Sequence, residues 1–158
     1  MPALIEVENL SFEYPQPGGS SRRALTHLSF QVQEGEYTAV VGANGSGKTT
    51  LARHLNGLLL PTEGSVRVAG MDTRDHARTA NVVGVVGMVF QYPEDQIIAS
   101  VVEEDVAFGL ENLGLPAALI REEVEAALRR VDMWESRHRP AYLLSAGQMQ
   151  RVALAGVL

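Results

Sequence analysis

Apolar and polar positions alternate from Ala3 to Leu10, with Leu4, Glu6 and Glu8 set against Ile5, Val7 and Asn9, although Leu4 blurs the pattern. A period of two predicts a half-exposed strand. Gln16-Pro17-Gly18-Gly19-Ser20-Ser21 is rich in turn formers. Beyond it, Leu28, Phe30 and Val32 fall on one face of a second strand over Leu25–Gln33. Glu34-Gly35-Glu36 then turns into Tyr37-Thr38-Ala39-Val40-Val41, a short β-rich run ending on glycine, which predicts a buried strand entering a glycine-rich loop. Lys48–Asn56 carries helical spacing through Leu51, Leu55 and Leu58, with Gly57 as its stop. Ser65–Ala69 predicts another strand, and Val82–Phe90, apolar and rich in valine, a further one. Pro116 opens a helix whose Ile120, Val124, Ala127, Leu128 and Val131 form one apolar stripe. Its glutamates (122, 123, 125) lie early and Arg129 and Arg130 late, as the helix dipole favours. The pattern predicts an α/β core followed by a helical subdomain, with no internal repeat.

Composition narrows the function classes. A chain of 158 residues with 46% hydrophobic and 20% charged residues is of globular type, which argues against intrinsic disorder. The net charge of −6 counts against a nucleic-acid partner. Cysteine is absent, which excludes disulfides, thiolate metal sites and a cysteine nucleophile. No basic stretch leads an apolar one at the N-terminus, so no signal peptide is expected. The longest apolar run, Val82–Phe90, is nine residues, short of the about twenty that a spanning helix needs.

The chemistry begins at Gly42-Ala43-Asn44-Gly45-Ser46-Gly47-Lys48-Thr49, which fits G-x-x-x-x-G-K-[ST]. Glycines let successive backbone N–H groups converge on phosphate oxygens, and the helix that follows adds its unsatisfied N–H groups and positive dipole end. Lys48, the only lysine of the chain, would reach the β- and γ-phosphates, and the Thr49 hydroxyl would ligate Mg2+. A nucleoside triphosphate is the expected ligand.

A second motif selects among phosphate-loop proteins. Leu143-Leu144-Ser145-Ala146-Gly147-Gln148 resembles the LSGGQ signature of ATP-binding-cassette (ABC) ATPases, and Ser145 is a natural N-cap. Alone, Ser145 would be an ordinary helix cap; its place downstream of Lys48 follows the family order. Ala146 replaces the commonest glycine, and is expected to be nearly silent if it adopts helical geometry. The resemblance implies that Ser145, Ala146, Gly147 and Gln148 face ATP held by a partner subunit. It also implies that Gly42–Thr50 hold the phosphates and that Tyr14 stacks on adenine. Gln91 would reach Mg2+ and the attacking water. Without that context, Tyr14 reads as packing and Gln91 as a solvated strand end.

Gln91-Tyr92-Pro93-Glu94-Asp95-Gln96, continued to Gly109, is similar to the ATPase subunits of energy-coupling-factor (ECF) importers of cobalt, nickel and vitamins. The resemblance implies an ABC-type core with an N-terminal antiparallel β region and an inserted helical subdomain, incomplete at the C-terminus. Residues 1–92 would form the nucleotide-binding core, 93–144 the helical and coupling region, and 145–158 the signature helix. Implied partners are a second ATPase subunit, a transmembrane coupling subunit and a substrate-binding membrane subunit. The location would be peripheral, on the cytoplasmic face of the membrane. Some of Glu94, Asp95, Glu103, Glu104 and Asp105 are expected to pair with arginines of the coupling subunit, the others forming a solvated acidic face, so that reversing Glu103 and Glu104 to lysine weakens assembly.

Family members continue into an Asp-Glu strand and a switch histidine. Here no acidic residue follows Glu135, and none of the four histidines lies beyond the signature. No catalytic residue is therefore assigned. The expectations are ATP binding without efficient turnover, a chain shorter than its parent protein, and marginal folding of the fragment. Two rivals remain: a soluble ABC ATPase acting on DNA or ribosomes, disfavoured by the acidic balance and the lack of a heptad run, and a non-hydrolysing nucleotide-binding module.

Overall fold

A computed structural model describes residues 3–158, which divide between Val86 and Gly87 into two compact units. The first is built on an antiparallel sheet of order β2-β1-β3-β4, where β1 is Ile5–Pro15, β2 Ser21–Val32, β3 Glu63–Val68 and β4 Met71–Asp72. The expected alternation is present: Ile5 and Val7 are buried, and Leu28, Phe30 and Val32 pack against the same core. β1 runs further than predicted because β-bulges re-aim it. Register shifts fall between Val7 and Leu10, Leu10 and Phe12, and Phe12 and Glu13. Hydroxyls repair the broken ladder: Ser11 Oγ accepts the His27 N–H at 3.1 Å and Ser29 Oγ the Asn9 N–H at 2.9 Å. Ala69 and Gly70, both at positive φ, make the tight β3–β4 turn.

Helix α1 (Lys48–Leu55) packs Leu51 and His54 into this core. It ends one residue before the expected Asn56, with Gly57 at φ 76° as its stop. Leu58 lies past the helix and is exposed.

Two predicted strands are absent from the described residues. Tyr37–Val41 makes no ladder, and Tyr37 and Val41 are 99% and 92% exposed. A strand exists only through its neighbours, and the sheet offers this run none. Val82–Phe90 is also misread. Its first part lies in helix α2 (Thr79–Val85), which buries Val82 and exposes Val83 and Val85, a one-sided burial that a helix meets with a single valine. Past α2, in the second unit, the Gln96 side chain substitutes for a missing strand: its Oε1 accepts the Phe90 N–H at 3.0 Å and its Nε2 donates to the Met88 carbonyl at 3.4 Å.

The second unit is helical. Helices α3 (Val102–Asn112), α4 (Ala117–Arg130) and α5 (Ala146–Ala155) enclose a core that includes Val106, Leu128, Met133 and Val152. The predicted stripe is present, with Val124, Ala127, Leu128 and Val131 buried and Ile120 packed alongside. Pro116 caps α4, and Arg129 pairs with Glu125 one turn earlier at 2.7 Å.

Candidate functional site

The Gly42–Thr49 loop is exposed along most of its length and delivers the chain into α1. Gly45 and Gly47 hold φ of 80° and 96°, values that favour glycine. Neighbours add a steric demand: a Cβ on Gly47 would stand 2.8 Å from the Ala24 carbonyl oxygen, and one on Gly42 2.7 Å from Ser46 Oγ. Glycine is therefore required at position 47, whereas at position 42 the Ser46 hydroxyl could turn away. Lys48 Nζ donates to the Gly42 and Ala43 carbonyls, both at 2.8 Å, which fixes the ammonium at the loop. No carboxylate pairs with it among the described residues. An uncompensated cation over glycine-freed backbone at a helix N-terminus fits a polyphosphate.

Thr49 stands exposed in the first turn of α1 and presents one hard oxygen. Among the described residues no group of three or more His, Cys, Asp or Glu could hold a metal ion. A single hydroxyl oxygen of this kind is chemically compatible with a hard cation such as Mg2+. Thr50, by contrast, is buried, and its Oγ1 lies 3.1 Å from the Tyr14 hydroxyl. The fold thus joins Tyr14 and the phosphate-loop helix, residues far apart in the chain. Beside Tyr14, Glu13 is held below the usual carboxylate range, chiefly by the Ser21 hydroxyl and then by Arg23.

The structure adds two residues that the motif reading passes over. Phe12 packs edge-on to both Tyr14 and His54, and His54 is wholly buried behind it. The i, i+2 spacing of Phe12 and Tyr14 on one strand face was the available signal. Burial holds the His54 imidazole below its ordinary pKa, against smaller raising effects of the Thr50 and Leu60 backbone. The folded chain therefore refuses a proton that the unfolded chain accepts. Stability contributed by neutral His54 is complete above the unfolded value of about 6.5. It is lost as the pH falls below that value. Urea midpoints at pH 7.5 and 5.5 should thus fall more in the wild type than in His54→Phe; equal falls would deny His54 a share.

Gln91 and the Ser145–Gln148 turn belong to the second unit. Gln91 is exposed just after the apolar run. Ser145 caps α5 in a reciprocal box: its Oγ accepts the Gln148 N–H at 3.3 Å, and Gln148 Oε1 accepts the Ser145 N–H at 3.0 Å. Ala146 begins the helix with no positive φ, so the exchange for glycine carries no strain. Ser145, Ala146 and Gly147 are exposed, and the Ser145 hydroxyl retains its proton for an outside acceptor.

A family model described as "ABC transporter" matches residues 25–158. The chain is 48% identical over 158 residues to the energy-coupling factor transporter ATP-binding protein EcfA1 of Caldanaerobacter subterraneus, covering 100% of this chain and 57% of that protein. It is 53% identical over 158 residues to EcfA1 of Symbiobacterium thermophilum, covering 98% of this chain and 55% of that one. The chain thus spans little more than half the length of these relatives. Among solved structures, cbiO1 of Clostridium perfringens, part of the ABC transporter complex cbiONQ, superposes with a TM-score of 0.85 at 34% identity, over 100% of this chain and 62% of that one. The dimeric cassette MJ0796 bound to ADP and Pi gives a TM-score of 0.85 at 26% identity, over 98% of this chain and 68% of that one.

Proposed function

The chain belongs to the ABC transporter family, and on that premise we propose that it supplies the ATP-binding part of an ECF-type importer ATPase. The observation that carries the reading is the Lys48 ammonium, uncompensated by any described carboxylate and held by two loop carbonyls at the start of α1. Gly42–Thr50 would cradle the phosphates, Tyr14 would stack on the base, and Thr49 with Gln91 would serve Mg2+. Mg2+, when bound, would supply neutralisation of the phosphate charge. Ser145, Ala146, Gly147 and Gln148 would meet the nucleotide of a second cassette, with the Ser145 hydroxyl as donor. The dimeric form of MJ0796 supports pairing of this kind. The reading assigns nucleotide binding to these residues and assigns a water-activating base to none of them.

Assembly with a membrane subunit is supported by the cbiO1 complex and by exposed carboxylates in the second unit. The internal hydrogen bonds narrow the expected set. Asp105 Oδ1 accepts the Ile98 and Ala99 N–H groups at 2.8 and 3.0 Å, and Glu103 Oε1 lies 2.8 Å from His138 Nδ1. These two shape their own unit, whereas Glu94, Asp95 and Glu104 are exposed. Among the described residues no helix is long and apolar enough to cross a membrane, which suits a peripheral subunit at the cytoplasmic face.

Titration calorimetry with ATP and Mg2+ tests the core of this reading; a chain that shows no saturable heat would refute it. Glu94→Lys with Glu104→Lys is expected to weaken capture by the coupling subunit while leaving ATP affinity unchanged. Undiminished capture would remove these carboxylates from the interface.

A further inference from the structure

Four side chains of the first unit close a ring beside the phosphate loop. The Tyr14 hydroxyl lies 3.1 Å from Thr50 Oγ1. Tyr14 meets Phe12 edge-on, with ring centroids 4.8 Å apart and planes at 89°. Phe12 in turn meets His54 at 4.6 Å and 72°. His54 Nδ1 returns to the Thr50 carbonyl at 2.7 Å. Because a carbonyl only accepts, Nδ1 carries the proton and donates. Thr50 thus holds the ring at two points, through its hydroxyl and through its backbone.

We propose that His54 is a positioning residue for the nucleotide base, acting through Phe12 and Thr50 to fix the Tyr14 ring in one orientation. The inference rests on the nucleotide reading given above. Packing by itself is a poor reason for histidine at this place. The side chain is fully buried, and its Nε2 makes no well-formed hydrogen bond. Leucine would fill an apolar position without a poorly bonded nitrogen. Imidazole provides what leucine lacks, a flat edge for Phe12 and a donor that pins that edge to the Thr50 carbonyl. A tyrosine oriented in advance loses less rotamer freedom when a base stacks on it, and the gain appears as affinity. No ion pair reaches His54 among the described residues, so its effect is steric and hydrogen-bonded rather than a charge acting at the phosphates.

The test separates base from phosphate. Affinities of the full chain are measured for ATP and for inorganic tripolyphosphate, which offers phosphates and no base. His54→Phe keeps a ring and removes the donor, whereas His54→Asn keeps a donor and removes the ring. Each is expected to lower ATP affinity about three- to tenfold and to leave tripolyphosphate affinity unchanged, the size of one immobilised side chain. Adding His54→Phe to Tyr14→Ala should cost nothing further, because both act on one ring. Equal losses for ATP and tripolyphosphate would overturn the proposal, since His54 would then serve the loop or the fold as a whole. Unchanged ATP affinity in either folded His54 variant, with a clear loss in Tyr14→Ala, would overturn it as well. No loss in Tyr14→Ala itself would remove the base-stacking role, and this inference with it. No ATP binding by the wild type would instead strike the nucleotide reading first.

Discussion

Replacing Lys48 with alanine is expected to lower ATP affinity by a factor of about 30 to 1,000, the about 2–4 kcal/mol lost when one member of a close charge pair is truncated. The size follows from the arrangement around Nζ. Two backbone carbonyls at 2.8 Å orient the ammonium without neutralising it, so its full charge remains for a phosphate. The loop is exposed, so the variant should melt with the wild type. Lys48→Arg is the informative partner. A planar guanidinium carries the same charge but does not place a single nitrogen equally near both carbonyls, so most of the loss should persist. Titration calorimetry on the folded variants decides. An affinity within threefold of the wild type for Lys48→Ala would mean that the phosphates do not meet this side chain.

Gly64→Ala should be strongly destabilising for the first unit. Gly64 lies on β3 at φ 80°, and a Cβ there would run into the carbonyl oxygens of Glu8 and Asn9 on β1. Two costs combine: left-handed backbone in an L-residue, about 1–2 kcal/mol, and forced displacement of packed backbone, about 1–3 kcal/mol. The strand cannot shift freely, because Val66 and Val68 just beyond are fully buried. A fall in melting midpoint of about 10 °C or more follows for a unit of this size. Gly70→Ala carries the first cost alone, for Gly70 has a similar φ of 75° with nothing near its Cβ position, so the difference between the two variants isolates the second. Equal losses at the two glycines would show that the β1–β3 pair absorbs the clash.

Much of the architecture was legible because it depends on residues close in the chain. The alternation of Ile5 and Val7, the Val124–Leu128 stripe, the Gly57 stop and the Ser145 cap each reach the structure as the pattern predicts. Period and capping chemistry act over one or two turns, so the chain states them outright. The phosphate loop belongs with these, since the glycines and Lys48 lie within one short segment. Tyr37–Val41 and Val82–Phe90 were misread for the opposite reason. Their composition favours strands, yet a strand needs a neighbour, and composition does not name one. In the structure the first run stays exposed, while the second is divided between helix α2 and a segment held by Gln96.

The same division runs through the candidate site. The sequence by itself determined which residue types stand where chemistry is proposed: the glycines, Lys48 and Thr49, the signature turn, and an aromatic at position 14. Tertiary structure decided which of them touch and which are already engaged. Tyr14 meets Thr50 from 36 positions away, and Glu103 meets His138 from 35. Phe12 and His54 enter the site only because β1 folds against α1. Local backbone preference is written in a few neighbouring residues, whereas side-chain partners follow from register and packing, which the whole unit must satisfy together.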